Sequence, residues 1–131
     1  MYERYFSEEQ LPQVVSELQQ WAPNISRWLL YGPMGVGKTA LVRAWIGEQV
    51  ASPTFTYINH YSHAVHVDLY RFPAGSPSRW ADVYTLLEEA PLIFVEWAEK
   101  LPEPPPLPWA EVHLSFTPTG HRYLRALIRD N

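Results

Sequence analysis

The stretch WLLYGPMGVGKT, residues 28–39, restricts what this chain can fold into more than any other segment. An apolar run, Trp28 to Leu30, leads through Tyr31 into Gly32, Gly35 and Gly37 and ends in Lys38-Thr39. A purely structural connector needs one or two glycines, at positions of positive φ. Three of them followed by a lysine, where a helical period begins, point to a backbone that has to stay bare. Bare glycines let successive N–H groups turn inward around an anion, and the next helix aims its N-terminal amides and dipole at the same charge. From Gly32 to Thr39 the segment fits the P-loop pattern G-x-x-x-x-G-K-[ST] without a gap. In that pattern Lys38 reaches the β- and γ-phosphates of a nucleotide, and the Thr39 hydroxyl ligates Mg²⁺. The blander reading is a glycine-rich connector with a chance lysine. Periodicity argues against it by supplying a strand before the loop and a helix after it.

The rest of the chain supplies the scaffold. YERYF reads as a short strand, and SEEQLPQVVSELQQWA as an amphipathic helix with Leu11, Val14, Val15, Leu18 and Trp21 on one face. Ser7 and Gln10 have capping-box spacing, and Phe6 and Leu11 suit a hydrophobic staple. Pro12 is acceptable only close to the first turn. Residues 25–31 form a buried strand, and a helix starts near Lys38. TYINHYS and HAVHVDLY alternate as a hairpin, RWADVYTLLEEA is a helix, and PLIFVEW is a short buried strand. LPEPPPLP is a stiff spacer, and AEVHLSF and RYLRALIRD close the chain as an antiparallel pair around TPTG. βα units mixed with hairpins predict an α/β fold of the P-loop NTPase type: three layers, α/β/α, around a mixed sheet with a parallel centre and antiparallel edges.

A P-loop needs an acidic partner from the end of a neighbouring strand. Asp68 follows AVHV and Glu96 follows LIFV. Glu96 has the purer buried run and is the better magnesium-side carboxylate, while Asp68 is placed to polarise an attacking water. Either one alone is also readable as a strand end in solvent, whereas two idle carboxylates beside a P-loop make a poor account. Glu88 and Glu89 read as a solvated helix end. Arg71 either touches phosphate or holds the Asp68 loop through a carboxylate.

Composition narrows the function classes. At 131 residues, with 47% hydrophobic and 15% aromatic content, the expectation is one globular domain over residues 1–131. With no cysteine there is neither a disulfide framework nor a thiolate metal site. The net charge is −4 and the basic residues are scattered, which disfavours direct binding of nucleic acid but leaves a role beside it through a partner. No apolar run is long enough to cross a bilayer, and MYERYFSEEQ has no leader pattern, so the expected location is cytoplasmic, with no membrane association. The six tryptophans read as core or sub-surface packing, with Trp97 also a candidate for a partner surface. His60, His63, His66 and His113 lack metal-site spacing.

GPMGVGKT, SPTFTY, HVDLYR and IFVEW, in that order and at close spacing, resemble the TsaE (YjeE) family of bacterial ATPases. These proteins serve the synthesis of threonylcarbamoyladenosine at position 37 of tRNA. The resemblance spans nearly the whole chain. It implies that Met34, Gly35, Val36, Gly37, Lys38 and Thr39 bind ATP or ADP, that Thr39 and Glu96 hold Mg²⁺, and that Asp68 serves hydrolysis. It also implies that Thr54 of SPTF senses the γ-phosphate and that Glu9 and Gly120 flank the nucleotide. The chain departs from the family pattern at Pro12, where threonine is usual, at His121, which separates Gly120 from Arg122, and at Pro33-Met34, where Asp-Leu is common. The implied partners are the two larger subunits of the transferase complex, of TsaD and TsaB type, with tRNA met only through them.

The resulting expectation is a slow ATPase whose turnover is regulated by partners. Two alternatives stand beside it. A small-molecule kinase needs a lid that residues 73–78 are too short to form, and a non-catalytic adaptor would use nucleotide only to gate assembly. A GTPase is disfavoured because no Asn-Lys-x-Asp motif occurs.

Overall fold

The computed structural model describes residues 1–47 and 57–131. Among these residues seven strands form one sheet: β1 (Tyr2–Phe6), β2 (Arg27–Tyr31), β3 (Ile58–His60), β4 (Val65–Asp68), β5 (Ile93–Glu96), β6 (Trp109–Phe116) and β7 (Arg122–Arg129). Their spatial order is β1-β7-β6-β2-β5-β4-β3. β2 runs parallel to both β5 and β6, and β4 runs parallel to β5. The β1–β7, β6–β7 and β3–β4 pairs are antiparallel. The parallel centre and antiparallel margins are those expected from the alternation of βα units and hairpins.

Among the described residues three α-helices cover the two faces: α1 (Leu11–Trp21), α2 (Lys38–Ile46) and α3 (Pro77–Glu89). Side chains alternate across β2, which divides the interior into two cores. Trp28 and Leu30 join Val14, Leu18, Leu41 and Phe94 beneath α1 and α2. Leu29 joins Val67, Val83, Leu87, Ile93 and Val95 beneath α3. A strand flanked by parallel neighbours is buried on both sides, which is why β2 and β5 read as apolar runs rather than alternating ones.

The first helix shows why Pro12 does no harm. Ser7 and Gln10 form the capping box, with the Gln10 side chain accepting the Ser7 N–H at 2.9 Å, and a short 3₁₀ turn at Glu8–Gln10 precedes α1. Helix α1 therefore begins at Leu11 and Pro12 lies in its first turn, where the missing N–H has no intrahelical acceptor to lose. The indole N–H groups of Trp28, Trp80 and Trp109 find acceptors at Ile25 O, Ala74 O and Glu111 Oε2. Each ring is thus an apolar body with its polar edge satisfied. Among the described residues no helix is long and apolar enough to cross a membrane.

Two consequences of this packing are measurable. A Cβ on Gly32 would lie 2.6 Å from the Leu114 carbonyl oxygen of β6 at φ +148, whereas one on Gly35, at φ +79, would meet nothing within 4 Å. Gly35→Ala is expected to cost about 1 kcal/mol of backbone strain, and Gly32→Ala clearly more, because the clash with β6 adds to the strain; urea midpoints of the two variants check the order. On β6, burial alone would raise the Glu111 carboxyl, but hydrogen bonds from Arg129, Trp109 and His113 outweigh it and hold the group below its ordinary value. A depressed folded-state pKa gives stability that is present above the unfolded value and lost as pH falls through the folded one. Glu111→Gln is therefore expected to flatten the acid limb of a melting-temperature profile below roughly pH 4.5, while a profile as steep as the wild type contradicts this.

Candidate functional site

The site lies at the carboxyl edge of the parallel strands. β2 ends at Tyr31, and the loop Gly32–Gly37 returns the chain into α2, whose first hydrogen bond runs from the Leu41 N–H to the Gly37 carbonyl at 2.9 Å. Gly37 caps the helix at φ +116, a conformation that costs other residues strain and leaves the α2 amides facing outward. In register, Leu30 of β2 pairs with Glu96 of β5, and Glu96 pairs with Asp68 of β4. Both carboxylates therefore arrive level with the loop on the face that carries α2.

A cavity of about 320 Å³ opens here. Met34, Gly35, Gly37, Lys38 and Thr39 form one wall, with Asp68, Tyr70, Glu96 and Trp97 opposite and Glu8 and Arg122 at one end. The Thr39 hydroxyl donates to the Glu96 carboxylate, with Oγ1 2.8 Å from Oε2 and 3.0 Å from Oε1, and so links the helix start to the neighbouring strand. Asp68 also carries a local task, since its Oδ1 accepts the Tyr70 N–H at 3.0 Å. The strand-end role and the cavity-lining role coexist in one side chain.

Lys38 is buried although it is charged. Its ammonium donates to the Gly32 carbonyl and, at 3.2 Å, to that of Pro33, and it lies 4.0 Å from the centroid of the Trp97 ring. Burial pulls its pKa below the ordinary lysine value, and the charges of Glu96, Glu99 and Asp68 work in the opposite direction. Trp97 takes a left-handed backbone conformation, φ +58, which turns its ring over the lysine. Tyr70 packs against that ring at 5.0 Å, and Lys100 donates to the Tyr70 carbonyl at 2.6 Å.

Of the residues singled out from sequence, Met34, Gly35, Gly37, Lys38, Thr39, Asp68 and Glu96 line one cavity. Val36 is fully buried beneath the loop, with its Cγ1 close to Gly32. Glu9 and Gly120 do not line the cavity. Their neighbours Glu8 and Arg122 do, because β1 pairs with β7 and sets Phe6 opposite Arg122. Glu9 stays close to the late turn: its carboxyl is lowered first by a hydrogen bond involving Ser7 and in smaller part by His121. Thr54 lies outside the described residues. Arg71 is exposed, with its guanidinium 5.9 Å from the Tyr70 ring.

The sequence reading missed three features. Arg122 enters the site with its Cδ 3.8 Å from the position of a Cβ on Gly37 and its Nε buried, without a hydrogen-bond partner among the described residues. The Lys38–Trp97 contact depends on a backbone conformation that no spacing announces. His66 is buried against Glu96, Nε2 to Oε2 2.5 Å. A signal for it was present, since two residues apart on a strand share a face and His66 stands two before Asp68.

The Thr39 hydroxyl and the Glu96 carboxylate are hard oxygen donors of the kind Mg²⁺ takes when phosphates and waters complete its shell. Among the described residues no group of three His, Asp or Glu side chains is arranged to hold a metal ion by itself.

Comparison with known proteins places these features. No curated protein matches the sequence. The fold is similar to that of the crystal structure of Bacillus subtilis YdiB, with a TM-score of 0.72 over 99% of this chain and 86% of that one, at 20% identity. A likeness at that identity speaks to the fold alone, and it agrees with the P-loop NTPase-like arrangement of sheet and helices described above. The sequence model for the threonylcarbamoyl adenosine biosynthesis protein TsaE matches residues 5–125, from β1 into β7, and takes in the loop and both carboxylates. The chain belongs to the TsaE family, a family of nucleotide-binding P-loop ATPases involved in threonylcarbamoyladenosine biosynthesis.

Proposed function

We propose that this chain binds Mg²⁺ and ATP in the cavity between the glycine loop and the β4 and β5 ends, and hydrolyses the nucleotide slowly. In this reading its turnover serves a threonylcarbamoyl-transferase complex built from TsaD-type and TsaB-type subunits, which modifies position 37 of tRNA. The observation that carries the reading is the Thr39–Glu96 hydrogen bond at 2.8 Å. It joins the residue that ends the phosphate loop to the carboxylate at the end of the adjacent parallel strand, the pair that a magnesium nucleotide requires.

Each residue then has a physical role. The loop amides from Met34 to Thr39 and the α2 N-terminus receive the phosphate oxygens. Lys38 exchanges its carbonyl partners for the β- and γ-phosphates and adds a charge-assisted bond to each. Thr39 and Glu96 hold Mg²⁺, which neutralises charge on the same oxygens. Asp68 accepts a hydrogen bond from the attacking water and aligns it with the γ-phosphorus. Thr54 senses the γ-phosphate, and the nucleoside reaches past the Glu8 and Arg122 end of the cavity toward Glu9 and Gly120. Positioning and charge stabilisation make up most of phosphoryl-transfer catalysis, so a site completed by a partner is slow by itself. The net charge of −4 suits a subunit that leaves tRNA to those partners.

Two substitutions test the reading. Asp68→Asn should retain ATP affinity and lose about 100-fold or more in turnover, as removal of a water-polarising group does. An Asp68→Asn chain that still supports tRNA modification in full would favour a nucleotide-gated adaptor instead. Lys38→Ala should weaken ATP by roughly 10- to 100-fold in calorimetry, the scale of a lost charged hydrogen bond; unchanged affinity removes the role given to the lysine.

A further inference from the structure

His66 is a polar ring in a strand that has every reason to be apolar. Its neighbours Val65 and Val67 are buried on the α3 side, and His66 faces the other way, 1% exposed, with Phe94 as its register partner. A leucine would fill such a position without a desolvation cost, whereas an imidazole there needs a hydrogen-bond partner. It has one: Nε2 lies 2.5 Å from Glu96 Oε2, and Nδ1 has no partner among the described residues. A carboxylate only accepts, so Nε2 carries the proton and the tautomer is fixed by the bond.

Glu96 is 3% exposed and is therefore gripped from two elements, by the Thr39 hydroxyl from α2 and by the His66 ring from β4. The histidine takes Oε2. Oε1 receives only the longer, 3.0 Å, arm of the threonine contact among the described residues. A hydroxyl that gives its proton to Glu96 also keeps its own lone pairs available.

We propose that His66 is a positioning residue that locks the Glu96 carboxylate, so that Oε1 and the Thr39 hydroxyl oxygen are held together for the divalent cation of the bound nucleotide. The proposal rests on the magnesium–nucleotide reading given above. It differs from the carboxylate assignments themselves because His66 does not line the cavity and acts only through Glu96. Outer partners of this kind fix the orientation of a ligating group, and their loss weakens metal affinity without removing a ligand.

The test compares His66→Phe, which keeps the ring volume and removes the N–H, with His66→Gln, which returns an N–H donor near the Nε2 position. Mn²⁺ titration of the ATP-loaded chain, followed by electron paramagnetic resonance, should show binding about 10- to 100-fold weaker in His66→Phe and restored to within roughly threefold in His66→Gln. ATP affinity measured in EDTA should be the same in all three proteins, which a general loosening of the strand would not allow. Unchanged Mn²⁺ affinity in folded His66→Phe, or equal losses in both variants, overturns the proposal. If His66→Phe does not fold, nitrogen-15 spectra of the wild-type imidazole decide: an Nε2–H tautomer in slow exchange supports the lock, and an Nδ1–H tautomer overturns it. A wild-type chain that binds no Mn²⁺–ATP overturns the nucleotide reading and this proposal together. Normal wild-type binding with an indifferent His66 overturns this proposal alone.

Discussion

Everything at the site depends on the register among three parallel strands. Leu30, Glu96 and Asp68 stand side by side because β2, β5 and β4 pair without offset. Parallel strands deliver all their carboxyl ends to one edge, and there the loop after β2 meets side chains contributed by its neighbours. A slip of one residue in β5 would turn Glu96 toward α3 and point Val95 at Thr39. The two apolar cores forbid that slip, since it would also exchange Phe94 for Ile93 and Val95 between faces that are already filled. The packing of the interior is what fixes the distance between a hydroxyl and a carboxylate at the surface of the sheet.

The electrostatics follow from the same geometry. A lysine taken out of water loses hydration, and here carbonyl oxygens on one side and an indole face on the other replace part of it. Glu96 and Asp68 oppose the loss from across the cavity. The carboxylate opposite is itself buried and held by a hydroxyl and an imidazole. Within a partly dry cavity these charges act on one another more strongly than the same groups would in water. Lys38, Thr39, Glu96 and the Nε2 of His66 are thus each held by a polar partner, while Arg122 Nε and His66 Nδ1 have none among the described residues.

Much of the scaffold was legible in the residues. The helical repeat of Leu11, Val14, Val15 and Leu18, the alternation in Trp109–Phe116, and the apolar run of Ile93–Glu96 each became the element their period implied. These signals are local, because a side chain's burial on one face follows from its spacing along the chain. The glycine loop was legible for a related reason: positive φ at Gly35 and Gly37 leaves a mark in residue type. Boundaries were less sharp. The strand expected from residue 25 begins at Arg27, and the helix expected from Arg79 begins at Pro77, since proline fits a first helical position and so opens a helix as readily as it ends one. The segment with Thr54 lies outside the described residues.

What escaped the sequence involves pairs distant along the chain. His66 and Glu96 are thirty residues apart, and although His66 shares a face with Asp68 two residues on, that spacing does not say that its ring nitrogen will meet a carboxylate of the adjacent strand. Arg122 approaches Gly37 because β7 lies beside β6, which lies beside β2. The order of side chains along the strand and the bareness of the loop were set by the amino-acid sequence alone, through steric freedom and hydrophobic period. Which ring covers the lysine and which arginine lines the cavity were decided only in the folded sheet, because those contacts depend on strand order and register, and these are fixed by burying both faces at once.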